Sequence, residues 1–213
     1  MYVPEQFAEP DIDVLHALIR SRPLATLVTL TPDGLNANHV PLCLSVPPNG
    51  LGALRGHVAR ANPMWKDFDR NVDALAIFHG PDCYVTPSWY ATKAENGKVV
   101  PTWNYAVAHA YGTLKVIEDP AWLRSTLEDL TDRNEARLDS AWRVEDAPRE
   151  FTERLMDSIV GIEIVMKRLT GKWKVSQNQP GRNRRSLAQG LHAVGGKEAL
   201  EMAALVEGIG RPR

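Results

Sequence analysis

The longest alternating stretch in the chain, Val99 to Ile117, is what most constrains the fold, because a strand of that length has to lie within a sheet and find partners along both edges. Read with period two, Trp103, Tyr105, Val107, His109 and Tyr111 share one face, while Thr102, Asn104, Ala106, Ala108 and Ala110 share the other. The second face is nearly flat. Either a planar ring lies against it, with Thr102 and Asn104 bonding the ring's polar edge, or the small residues sit under a helix.

Shorter strand signals surround this one. Leu24–Leu30 leads into the turn Thr31-Pro32-Asp33-Gly34. Leu35 to about Val46 follows, with Pro41 marking an edge, a bulge or a break, and then Leu51–Val58. Ala74–His79 is a compact apolar strand that Gly80-Pro81-Asp82 should break, and Ile159–Leu169 alternates again. Helical spacing is present at Ile12–Ser21, about Pro63–Phe68, Ala121–Leu130 with a further turn or two to Leu138, Pro148 to about Met156, Ser186–Leu191 and Glu198–Val206, and Asp119-Pro120 is a helix start. The pattern predicts a mainly β, α+β chain. It reads as a single domain over 1–213, with a helical insertion at about 119–157 and a helical tail at about 184–213.

Gly56-His57-Val58-Ala59-Arg60-Ala61-Asn62-Pro63 is the stretch with the most chemistry in it. A strand end passes into Asn62-Pro63, an N-cap followed by proline at the first helical position, where its missing N–H costs nothing. His57 and Arg60 stand beside that helix start. A guanidinium fork can take two phosphate oxygens, so the spacing predicts a phosphate-bearing cofactor. The alternative is a half-buried histidine next to a solvated arginine. His39, early in the Leu35–Val46 strand, is a further candidate. Lys172 and Lys174 share a strand face and would repel unless a dianion lay between them, or else they guard a sheet edge.

Other function classes find little support. The net charge of the 213-residue chain is −1, so no whole-molecule field steers it toward nucleic acid or membrane. Cys43 and Cys83 lack the spacing of a zinc site. No apolar run approaches membrane-spanning length and no leader is evident at Met1-Tyr2-Val3-Pro4, from which a cytoplasmic location is expected. The basic run Arg182, Arg184, Arg185 has no interleaved aromatics. GxSxG, HExxH, P-loop and GxGxxG patterns are absent, so any chemistry has to reside in a cofactor.

Met1-Tyr2-Val3-Pro4, Asn38-His39-Val40-Pro41-Leu42, Gly56 to Pro63, Pro87-Ser88-Trp89-Tyr90, Val100 to Tyr105, Ile159-Val160-Gly161-Ile162-Glu163 and Gly171-Lys172-Trp173-Lys174 together resemble the PaiB-like family of FMN-binding negative transcriptional regulators. The resemblance runs in order through nearly the whole chain. It implies a split β-barrel of the pyridoxamine-phosphate-oxidase type with peripheral helices, an FMN cofactor and a homodimer. His57, Arg60 and Asn62 would then cradle the phosphate, with His39 nearby. Thr102, Trp103 and Asn104 would line the ring, and Lys172 and Lys174 would add positive charge. Gln179 stands where the family usually carries Arg. The resemblance implies a regulator, acting with DNA or through a partner protein. The same fold also hosts FMN-dependent oxidoreductases and flavin reductases that use NAD(P)H, and haem-handling proteins.

Overall fold

The computed structural model describes residues 1–48, 50–136 and 138–209, so the last residues of the expected helical tail, 210–213, lie outside the described residues, as do Asn49 and Arg137. In chain order the strands are β1 (Ala8–Glu9), β2 (Leu24–Thr31), β3 (Gly34–Pro41), β4 (Cys43–Ser45), β5 (Ala53–Ala59), β6 (Ala74–Val85), β7 (Thr102–Ile117) and β8 (Ile159–Lys174). The helices are α1 (Ile12–Ser21), α2 (Lys93–Asn96), α3 (Pro120–Glu135), α4 (Arg149–Asp157), α5 (Gly181–Val194) and α6 (Lys197–Glu207). The strands form one antiparallel eight-stranded sheet in the order β3-β2-β6-β7-β8-β5-β4, with β1 added on β8.

Two compact units emerge from the chain's contacts, and three strands run through both. The first comprises Met1–Asp11, His79–Ala108 and Thr170–Arg213, the second Ile12–Phe78 and His109–Leu169. In the second unit β2 and β3 form a hairpin whose register pairs Leu24 with Pro41 and Thr31 with Gly34. Gly34 takes φ 114°, a turn conformation open to glycine and strained for other residues. β5 lies against β8 from Ala53↔Val165 to Ala59↔Ile159. Leu15, Leu18 and Ile19 of α1 are buried on its apolar face, and Leu27, Leu54, Phe78, Ile162 and Ile164 are fully buried. Each such side chain contributes roughly 1.5–3 kcal/mol of transfer free energy. In the first unit Val85, Val175, Leu187, Leu191 and Met202 are buried, and Gly190 lets Trp89 lie where a Cβ would be 2.6 Å from its ring.

Several local expectations are corrected. Gly80-Pro81-Asp82 does not break β6, which runs unbroken from Ala74 to Val85. The register of β2 with β6 covers Leu75–Ile77, so on that side Pro81 removes no ladder hydrogen bond. The helix expected at Pro63–Phe68 is only a 3-10 turn, Pro63–Trp65, capped by Asn62 Oδ1 accepting from Met64 N at 3.0 Å. α5 begins at Gly181, five residues before the expected start at Ser186, and so takes in the basic run. Asp119 caps α3 as its sequence predicts, accepting from the N–H groups of Ala121 and Trp122 at 2.8 and 3.2 Å. Among the described residues no helix is long and apolar enough to cross a membrane.

Candidate functional site

The expected site residues separate into two groups, one in each unit. His39, His57, Arg60 and Asn62 belong to the second. Gly56 ahead of them lets β5 approach closely, since a Cβ there would come 2.6 Å from the Pro41 carbonyl oxygen. The Arg60 guanidinium is fully engaged within this unit. Nε donates to the Asp157 carbonyl at 2.9 Å, Nη2 to the Ile159 carbonyl at 3.1 Å and Nη1 to Glu118 Oε1 at 2.8 Å. It ties the α4–β8 junction to the end of β5. Asn62, besides capping the 3-10 turn, donates to Asn38 Oδ1 at 2.8 Å, and Asn38 donates on to Asn36 at 2.6 Å. His39 pairs across the hairpin with Thr26, Nδ1 to Oγ1 at 3.3 Å. His57 Nδ1 is buried without a hydrogen-bond partner, and burial holds its pKa below the ordinary histidine value, keeping the ring neutral.

Thr102, Asn104 and Lys174 come together in the first unit, around a cavity of about 480 Å³. That volume falls in the range of small-molecule sites. Tyr90, Lys98, Ser176, Asn178, Gln179, Arg182 and Asn183 also line it. Asn104 is 0% exposed, and its Oδ1 accepts from Ser176 Oγ at 3.1 Å, while its Nδ2 has no partner. Lys174 Nζ donates to Thr102 Oγ1 at 2.5 Å. One wall is braced by Asn183, whose Oδ1 accepts from Thr92 N at 3.1 Å and whose Nδ2 donates to Thr92 Oγ1 at 3.0 Å. Arg182 grips both carboxylate oxygens of Glu95. Among the described lining residues none is Asp, Glu or His, and Lys98, Lys174 and Arg182 are cations. Burial raises the Tyr90 phenol pKa, an effect partly offset by its hydrogen bond with Ser176. Cys83 is pushed up to about 11 by burial and by Asp82, which removes it as a thiolate nucleophile at neutral pH.

A larger cleft in the second unit, about 660 Å³, is lined by Asp33, Asp67 and Asp69, with Lys66 as its one cation. Such a lining repels a phosphate dianion, so the smaller cationic cavity is the better candidate. Among the described residues no cluster of side chains could hold a metal ion.

Two expected ligands lie apart from the cavity's lining. Trp103 is 55% exposed on the opposite face of β7, edge-on to Tyr84 with ring centroids 6.0 Å apart. Lys172 donates to the Tyr2 carbonyl at 3.2 Å and stands over the Tyr105 ring at 5.4 Å, so the two lysines are partnered separately. The flat face of β7 is covered by the protein itself over most of its length. Ala106, Ala108 and Ala110 are at most 3% exposed, and only the Thr102–Asn104 end meets the cavity. Sequence reasoning missed Ser176, Asn183 and Arg182 as lining groups. The polar run after Lys174 was the available signal, whereas the partners of these residues are too distant in sequence to infer.

Residues 1–168 match the family described as "Putative FMN-binding domain". An uncharacterized protein of Emericella nidulans, AN0679, is 35% identical over 230 residues, covering 92% of each chain. The chain belongs to this FMN-binding family. The protease synthase and sporulation protein PAI 2 of Bacillus subtilis is 28% identical over 97% of each chain, which makes this a flavin-binding protein of the PaiB type with FMN as its cofactor. Two solved structures share the family's split-barrel fold. The FAD and heme binding protein of Mycobacterium smegmatis has a TM-score of 0.57 at 18% identity, covering 89% of this chain and 80% of that one. The flavocytochrome Anf3 of Azotobacter vinelandii has 0.55 at 15%, covering 81% and 72%.

Proposed function

We propose that the chain holds FMN in the cavity around Asn104 and acts as a PaiB-type negative regulator, with the flavin as the ligand that sets its state. The unpartnered Asn104 Nδ2 carries this reading. A donor that is 0% exposed and unbonded forfeits its hydration, and a ligand acceptor restores the lost bond. A flavin fits this donor set. Asn104 and Thr102 would hold the carbonyl edge of the ring, and Lys98 and Lys174 would supply charge for the phosphate. The bound flavin brings the capacity to accept electrons; the protein side chains bind and orient it. The regulatory role draws support from the Bacillus relative, named for protease synthase and sporulation.

The test is spectroscopic. Purified protein titrated with FMN should quench flavin fluorescence and shift the flavin absorption bands, and bands that persist under anaerobic NADPH support the ligand role. Rapid bleaching by NADPH would make the protein an NAD(P)H-dependent oxidoreductase instead. A homodimer is part of this proposal and is checked by light scattering. Direct action on DNA predicts salt-dependent binding to a promoter fragment that differs between flavin-free and flavin-loaded protein. Salt-independent or absent binding would move the regulatory contact to a protein partner.

A further inference from the structure

Ser176 is the one residue other than glycine with positive φ among the described residues, 64°, and it is 4% exposed. An L-residue adopts this left-handed conformation only when its surroundings impose it. Here the conformation brings Oγ to 3.1 Å from Asn104 Oδ1, across 72 residues of sequence. The hydroxyl donates to the amide oxygen, which fixes the orientation of the amide and leaves both Nδ2 protons as the unpartnered groups. Thr102 is set in the same sense. A lysine ammonium has only donors, so Thr102 Oγ1 accepts from Lys174 and its own proton is left to donate elsewhere. The amide, the hydroxyl and the ammonium that border the cavity therefore all offer protons, with Lys98 adding positive charge, while the charge of Arg182 is met by Glu95.

We infer that Ser176 is the positioning residue that makes this wall a pure donor surface, and that the wall consequently binds FMN more tightly in its reduced, anionic form than in its oxidised form. The inference rests on the FMN reading of the cavity. Oxidised flavin takes two electrons and one proton to become a monoanion, whose negative charge gathers on the pyrimidine nitrogen and carbonyl edge. Donors held in place before reduction strengthen their bonds to that edge as the charge develops, whereas water would have to reorient. Tighter binding of the reduced form raises the midpoint potential by linkage. Ser176 acts on this edge through Asn104.

The full chain, loaded with FMN, is titrated with dithionite as electron donor in the presence of mediator dyes. Its midpoint potential should lie above that of free FMN. Ser176→Gly accepts the left-handed backbone and deletes the hydroxymethyl side chain that makes the bond. It should weaken FMN binding about tenfold and bring the potential toward the free-flavin value, with the melting temperature of the flavin-free protein unchanged or raised. Asn104→Asp keeps the shape, turns the donor into a charged acceptor and should lower the potential further. A merely structural role for Ser176 would lower the melting temperature and leave the potential in place. Wild-type protein that binds FMN while Ser176→Gly alters neither affinity nor potential overturns the inference and leaves the FMN site standing. Wild-type protein that binds no FMN overturns the site and the inference with it.

Discussion

The Arg60 corner and the Asn104 cavity are both built on amides beside cations, yet they use them in opposite ways. At the corner the guanidinium's three nitrogens all reach protein oxygens, and the asparagines bond one another in a row from Asn62 to Asn36. In the cavity a fully buried amide keeps its donors unspent beside Lys98 and Lys174. A polar cluster whose bonds close on themselves stabilises the fold. One that stops short of closure is shaped for something else.

Asn104→Leu breaks the comparison most sharply, because it removes the unspent donor while keeping the number and branching of the side-chain heavy atoms. FMN binding should fall by tenfold or more, roughly 1.5–3 kcal/mol for a bond to a charge-bearing ligand, while the flavin-free protein melts at the same or a higher temperature. Flavin titration and thermal melting measured side by side decide it, and unchanged affinity would separate Asn104 from the ligand. Arg60→Ala should show the reverse pattern. It costs about 1–2 kcal/mol in urea unfolding, discounted because the Arg60 side chain is 41% exposed, and leaves FMN affinity within about twofold. A tenfold loss of FMN with unchanged unfolding would return the phosphate to Arg60.

His57 supplies the pH arm. Its folded pKa is depressed by burial, so the unfolded chain binds a proton more readily, and the associated stability is present above about pH 6.5 and lost as pH falls through the folded value. His57→Gln should flatten that acid limb in a series of melts between neutral and acid pH. The smallest effect is expected at the half-exposed Arg182–Glu95 pair. Glu95→Gln should change stability by less than about 1 kcal/mol and should matter less as salt is raised, measured by melting at low and high ionic strength.

What could be read from sequence was local. The alternation of Val99–Ile117 announced β7, and Asp119-Pro120 announced the start of α3, because period and cap chemistry are short-range signals. The resemblance of scattered motifs pointed to the FMN family, which the match over 1–168 establishes. Arg60 was legible as a cation beside a turn, but its acceptors lie 58 to 99 residues away, and nothing nearby reveals them. The same holds for Asn183 and Thr92, 91 residues apart. Ser176 was invisible for another reason: a serine does not advertise a left-handed backbone, which the surrounding packing imposes.

The unit that holds the cavity is assembled from three segments distant in sequence, Met1–Asp11, His79–Ala108 and Thr170–Arg213, so its parts are synthesised at different times. Asn104 emerges long before Ser176, its partner 72 residues later, and α5 follows only from Gly181. The amide therefore waits until the segment from Thr170 onward has been made before it meets its partner. At the proposed site a flavin would accordingly be held only after that point, and a polypeptide cut short before Lys174 would carry the strand without the pocket.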